Sequence, residues 1–121
     1  MSIVSITHNH YEMLKQYNVF FSITFHEVKD KDVYYMLHFG RINNNNLYET
    51  YKLHITFEDL RMLKINHKHF PSSTIFKRTN PEFINSRILD IRKWFDFILE
   101  SNNGNLLFNN LHRIHKERIY S

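Results

Sequence analysis

One stretch constrains the fold of this chain more than any other: Asn80 to Glu100, N-P-E-F-I-N-S-R-I-L-D-I-R-K-W-F-D-F-I-L-E. Its beginning carries three helix-start signals. Asn80 suits the N-cap, Pro81 suits the first helical position, and Glu82 complements the positive end of the helix dipole. Ile84, Ile88, Ile91, Phe95 and Ile98 then recur at i, i+4, i+7, i+11 and i+14. That spacing places them on one face at a period near 3.6 and predicts an amphipathic helix with a stripe that must be buried. Asn102-Asn103-Gly104 follows, with Gly104 read as a left-handed cap. Arg87 lies in the N-terminal half, about one turn before the dense apolar run, where helix statistics alone make it a solvated surface arginine.

What that stripe packs against is written upstream. Residues 1–16 hold Ile3, Val4 and Ile6, which suit a short edge strand, and a helical turn from Tyr11 to Gln16. From Tyr17 the pattern has period two. Val19, Phe21, Ile23 and Phe25 share one face, and Asn18, Ser22, Thr24 and His26 the other. Lys29-Asp30-Lys31-Asp32 forms a charged turn, and Val33 to Phe39 returns as an antiparallel partner. Gly40-Arg41 marks a bulge or the end of regular pairing, and Asn43 to Asn46 a polar loop. Leu47 to Ile55 makes a third strand, with Leu47, Tyr51, Leu53 and Ile55 on one parity and Tyr48, Thr50, Lys52 and His54 on the other.

Thr56, with Asp59 three residues on, predicts a capped short helix reaching about Asn66. An irregular connection, His67 to Thr79, leads into the long helix. After Gly104 a last helix turns Leu107, Leu111 and Ile114 inward and ends in a basic tail, Arg113 to Arg118. The fold class is therefore α+β: a three-stranded antiparallel sheet followed by a helical subdomain on one side of it. With 121 residues and no internal repeat or linker, residues 1–121 are expected to form a single domain, its core at about 17–115.

Composition narrows the function. Aromatics at 16% and charged residues at 23% are too apolar for a disordered chain and too charged for a bilayer span. The first residues lack a basic region followed by an apolar core, so no secretory signal is expected. With no cysteine, disulfides and thiolate metal sites are excluded. His67-x-His69 and His112-x-x-His115 have usable spacing, but no H-E-x-x-H motif accompanies them, and no metal or cofactor is expected. There is no G-x-S-x-G, no glycine-rich phosphate loop and only two glycines, so the chain does not read as an enzyme. A net charge of +4 favours polyanionic partners: anionic lipid, nucleic acid or acidic protein.

Three antiparallel strands, an F-x-x-L junction at Phe57 and Leu60, an irregular loop with Pro71 and paired basic residues, and a helix of the form P-E-F-I-x-x-R come in an order that resembles the phox-homology (PX) domain, the phosphoinositide-reading module of sorting nexins. The resemblance covers about Tyr17 to His115. It implies a phosphoinositide-binding module for peripheral attachment to endosomal or other intracellular membranes, in the cytoplasm. The family's third strand ends in R-R-Y/F-S-D-F-x-x-L, and here Lys52-Leu53-His54-Ile55-Thr56-Phe57-Glu58-Asp59-Leu60 stands in its place. By the resemblance, the arginine that grips the 3-phosphate falls on Leu53 and the aromatic under the inositol ring on His54. Lys52 matches the family's first basic residue. Lys77 or Arg78 matches the loop lysine on the 1-phosphate, and Arg87 the arginine on the ring's 4- and 5-hydroxyls.

Leucine cannot fork onto a phosphate, and forgoing each charge-assisted hydrogen bond of that kind costs about 1.5–3 kcal/mol. Recognition of a 3-phosphate is therefore expected to be weakened unless Lys52, Arg41 or a histidine supplies the charge. A protonated His54 would do so as pH falls through about 6.5. Ile75 and Phe76, directly before Lys77 and Arg78, are candidates for insertion into the acyl boundary, with folding back onto the core as the alternative. The runner-up function is a protein-interaction module of the same fold within a sorting complex. A basic nucleic-acid binder, with a steep salt dependence, ranks below both.

Overall fold

A computed structural model describes residues 18–43, 46–72 and 79–119, with the backbone alone at 43 and 46–48. Three antiparallel strands, β1 (Val19–Lys29), β2 (Asp32–Asn43) and β3 (Asn46–Ile55), form a sheet in the order β1-β2-β3. Helices α1 (Phe57–Arg61), α2 (Pro81–Glu100) and α3 (Gly104–Ile119) follow, with a short 3₁₀ turn (His67–His69) after α1. This is the α+β arrangement that the alternating and helical periodicities predict.

The period-two pattern becomes a two-sided sheet. Val19, Phe21, Ile23, Tyr35, Leu37, Phe39, Leu53 and Ile55 are buried in one core with Ile84, Ile88, Ile91, Trp94, Phe95 and Ile98 of α2. Phe21 stacks on Phe95 with ring centroids 5.5 Å apart. Trp94 is fully buried, and its indole N–H donates to the Ile65 carbonyl at 2.9 Å, so the largest core side chain leaves no polar atom unsatisfied. Phe20 and His38, on the opposite face, are buried as well and meet edge to face at 5.1 Å.

Turns and caps follow the local chemistry. Asp30 and Lys31 both have positive φ (53° and 68°), as a two-residue hairpin between right-twisted strands requires. Asn80 accepts from the Phe83 N–H at 2.8 Å, and Thr56 and Asp59 form a reciprocal capping box. Gly40 lies where β3 approaches closely: an added Cβ would sit 2.1 Å from the Glu49 carbonyl oxygen.

Two local expectations are corrected. The helix after Thr56 ends at Arg61 rather than near Asn66, because the chain turns through left-handed Lys64 (φ 56°) and Asn66 (φ 47°). Asn66 then ties this turn to the end of α2. It donates to Ser101 Oγ at 2.8 Å and accepts from the Asn103 amide at 2.7 Å. Gly104 does not supply the left-handed cap of α2; Asn102 does (φ 63°), and Gly104 opens α3. Its small size is used in packing, since a Cβ there would stand 2.8 Å from Val19 Cγ2.

Candidate functional site

Arg87 projects from the flank of the α2 stripe and is half-buried. Its guanidinium carbon lies 3.6 Å from the centroid of the Phe57 ring and 4.8 Å from that of Phe83. The Phe83 contact comes from i, i+4 spacing along the helix, and the Phe57 contact from the start of α1. One guanidinium N–H donates to the Ser72 carbonyl at 3.3 Å, holding the last described residue before the basic loop against the helix. Burial pushes the Arg87 guanidinium below its ordinary pKa, offset in part by the fields of Tyr35, Asp90 and Glu58. Burial also raises the Tyr35 phenol, and the nearby Arg87 charge opposes that shift.

None of the ion pairs among the described residues includes Arg87. A guanidinium lying over one aromatic and beside another, with a backbone carbonyl as its one acceptor among the described residues, has N–H donors that no described residue takes up. Phosphate oxygens and vicinal hydroxyls suit that planar donor set. Phe57, Phe83 and Tyr35 are the partners that sequence reading missed as site components. The F-x-x-L junction and the Phe83–Arg87 spacing were the available signals for two of them. Tyr35, distant in sequence, gave none.

Lys52 and His54 stand elsewhere. Both are exposed on the sheet face opposite Leu53 and Ile55, so they do not line the helix-facing side from which Arg87 emerges. Lys52 pairs in register with His38 and contributes, after burial, to lowering the His38 pKa. The His54 ring stacks on His26 with centroids 3.9 Å apart, and its carbonyl accepts from Arg118. Leu53 is 4% exposed and belongs to the core. Arg41, the other candidate substitute cation, pairs with Glu49 at 3.1 Å and lies over the Phe108 ring. Ile75, Phe76, Lys77 and Arg78 lie outside the described residues.

His112 and His115 both face Tyr51, with ring centroids 4.7 and 5.1 Å away. Among the described residues no group of three or more His, Asp or Glu side chains is placed to hold a metal ion, and no helix is long and apolar enough to cross a membrane. The chain is a small α+β domain whose layout is loosely consistent with a PX-like fold. A scan against protein-family models, a search of curated proteins and a search of solved structures each found no match.

Proposed function

We propose that this chain is a divergent PX-like module that attaches a peripheral protein to phosphoinositide-bearing intracellular membranes. The observation that carries the proposal is Arg87: a half-buried cation held on Phe57, outside the ion pairs of the described residues, beside the start of a loop whose sequence holds Ile75-Phe76-Lys77-Arg78. Arg87 would donate to the ring hydroxyls or a phosphate of the headgroup. Lys77 and Arg78 would meet phosphates at the bilayer surface, and Ile75 and Phe76 would enter the acyl boundary. Leu53 in the core removes the usual 3-phosphate ligand, and Lys52 and His54 face the other way. The expected affinity is accordingly lower by roughly one to two powers of ten than that of a pocket with all its cations.

The test is vesicle co-sedimentation across the phosphoinositides, with charge-matched phosphatidylserine vesicles as control and Arg87→Ala and Lys77→Ala beside the parent. Headgroup-selective binding abolished in both variants supports the reading. Binding that follows total negative charge alone and ignores Arg87→Ala contradicts it. A protein-interaction module of the same layout is the second reading, and the core position of Leu53 is the observation that favours it.

A further inference from the structure

The opposite flank of α2 carries a different surface. Leu89 is two residues from Arg87, about 200° further round the helix. Leu89, Ile88, Asn85 and Arg92 border a groove of about 380 Å³ whose other wall is Thr24 and Phe25 of β1. Phe25 is 46% exposed and Leu89 55%, large apolar side chains left open to solvent beside each other. The Phe25 face is the core face of β1, but the core ends at Ile23, so Phe25 extends the apolar stripe beyond what the helices cover.

The groove also runs along a sheet edge. β1 pairs with β2 on one side, and no described strand pairs with its other side. Arg92 reaches from α2 and donates to the Ile23 carbonyl at 3.1 Å, so that carbonyl points away from β2. Backbone groups of a strand alternate in direction, so those of Phe25, two residues on, point the same way. A bulge between Phe25 and Glu27 then shifts the register and limits the open edge to a short segment. Arg92 is in none of the ion pairs among the described residues, and its guanidinium keeps donors beyond the one given to Ile23.

We propose that this groove binds a short extended peptide of a partner protein, with one large apolar side chain between Phe25 and Leu89 and a carboxylate on Arg92. The apolar walls, the outward backbone of Phe25 and the guanidinium select three different features of one segment: a side chain, a strand backbone and a negative charge. An anionic lipid would use only the last. The site is independent of Arg87 and of the membrane reading.

The probe is a random-peptide phage library selected against the full chain, with the enriched peptides resynthesised and measured by fluorescence polarisation. The expected consensus pairs a large apolar residue with Asp or Glu. Leu89→Asp, a change at an exposed position, should weaken these peptides at least about tenfold, the effect of removing one apolar wall of this size. Selection against Arg92→Glu should exchange the acidic residue for Lys or Arg, and Arg87→Ala should leave peptide affinity unchanged. N-methylation of the peptide's edge-facing amides should abolish binding. The proposal is overturned by a library without enrichment, by peptides indifferent to both Leu89→Asp and Arg92→Glu, or by peptides that no longer bind Arg87→Ala. Self-association that Leu89→Asp removes would also overturn it, assigning the groove to a second copy.

Discussion

Arg87 lies over the Phe57 ring with the Ser72 carbonyl as its one hydrogen-bond acceptor among the described residues, whereas Arg118 reaches from the end of α3 to the Asp59 carboxylate at 2.8 Å and to the His54 carbonyl. The two side chains begin with the same charge and the same donors. Arg118 spends them inside the protein, clasping α3 to the start of α1, where Asp59 also closes the Thr56 capping box. Arg87 is positioned by packing and has no carboxylate at contact distance among the described residues. A cation neutralised by a cap residue reads as a fastening. A cation held still without neutralisation reads as a binding group, because its field remains available to an incoming anion.

Leu53→Arg bears most strongly on this contrast, since it places a guanidinium inside the helix-facing core. Burying an unpaired charge there should cost about 3–5 kcal/mol, measured by urea denaturation. Retention of parental stability would mean that the core accommodates the cation and that Leu53 is not the obstacle to 3-phosphate binding. Arg87→Ala comes next. It should lower selective vesicle binding about tenfold or more while changing unfolding free energy by about 1 kcal/mol, the scale of a single cation–π interaction. Arg87→Lys should recover only part of the binding, since an ammonium keeps the charge but lacks the planar fork.

Arg118→Ala should do the reverse, leaving vesicle binding unchanged and costing at most about 1 kcal/mol, as its ion pair is partly exposed. Its signature is a pH dependence. Burial alone would raise the Asp59 carboxyl, but the Arg118 and Thr56 hydrogen bonds outweigh it and hold the carboxyl below its ordinary value. A depressed carboxylate contributes stability above its unfolded pKa and loses it as pH falls below about 4. Arg118→Ala should therefore flatten the acid limb of a stability–pH curve.

His38 gives the smallest effect, in a separate window. Burial, helped by the Lys52 charge, lowers its pKa, so the folded state favours the neutral ring. Its contribution is complete above the unfolded value and falls away as pH drops below about 6.5. His38→Gln should reduce the slope of stability with pH just below about 6.5, the unfolded value.

The α+β layout was legible because it rests on local periodicities: the stripe of α2, the alternation in β1 and β3, and the caps at Thr56 and Asn80. The left-handed Lys64 and Asn66 broke the pattern after α1, and lysine carries no turn signal of its own. Gly104 was misread because the same glycine that suits a cap also suits close packing against Val19. For the site, Arg87 was found by its place in P-E-F-I-x-x-R, but its surroundings were not. Phe57 reaches it through tertiary packing, and period alone cannot say which cation an aromatic will hold. Lys52 and His54 were grouped with Arg87 by the resemblance of Lys52–Leu60 to the family's motif, although their parity sends them to the other face.

Side-chain NMR shows at the level of the atom which arginine meets the headgroup. In a ¹⁵N-labelled chain, the Arg87 Nε–H resonance is followed while a soluble short-chain phosphatidylinositol 3-phosphate is titrated in. A saturable shift of Arg87, with Arg118 unmoved and inorganic phosphate at equal charge having little effect, is the predicted result. Saturable lipid binding that moves Arg118 or the Lys52–His54 face and leaves Arg87 in place would contradict it.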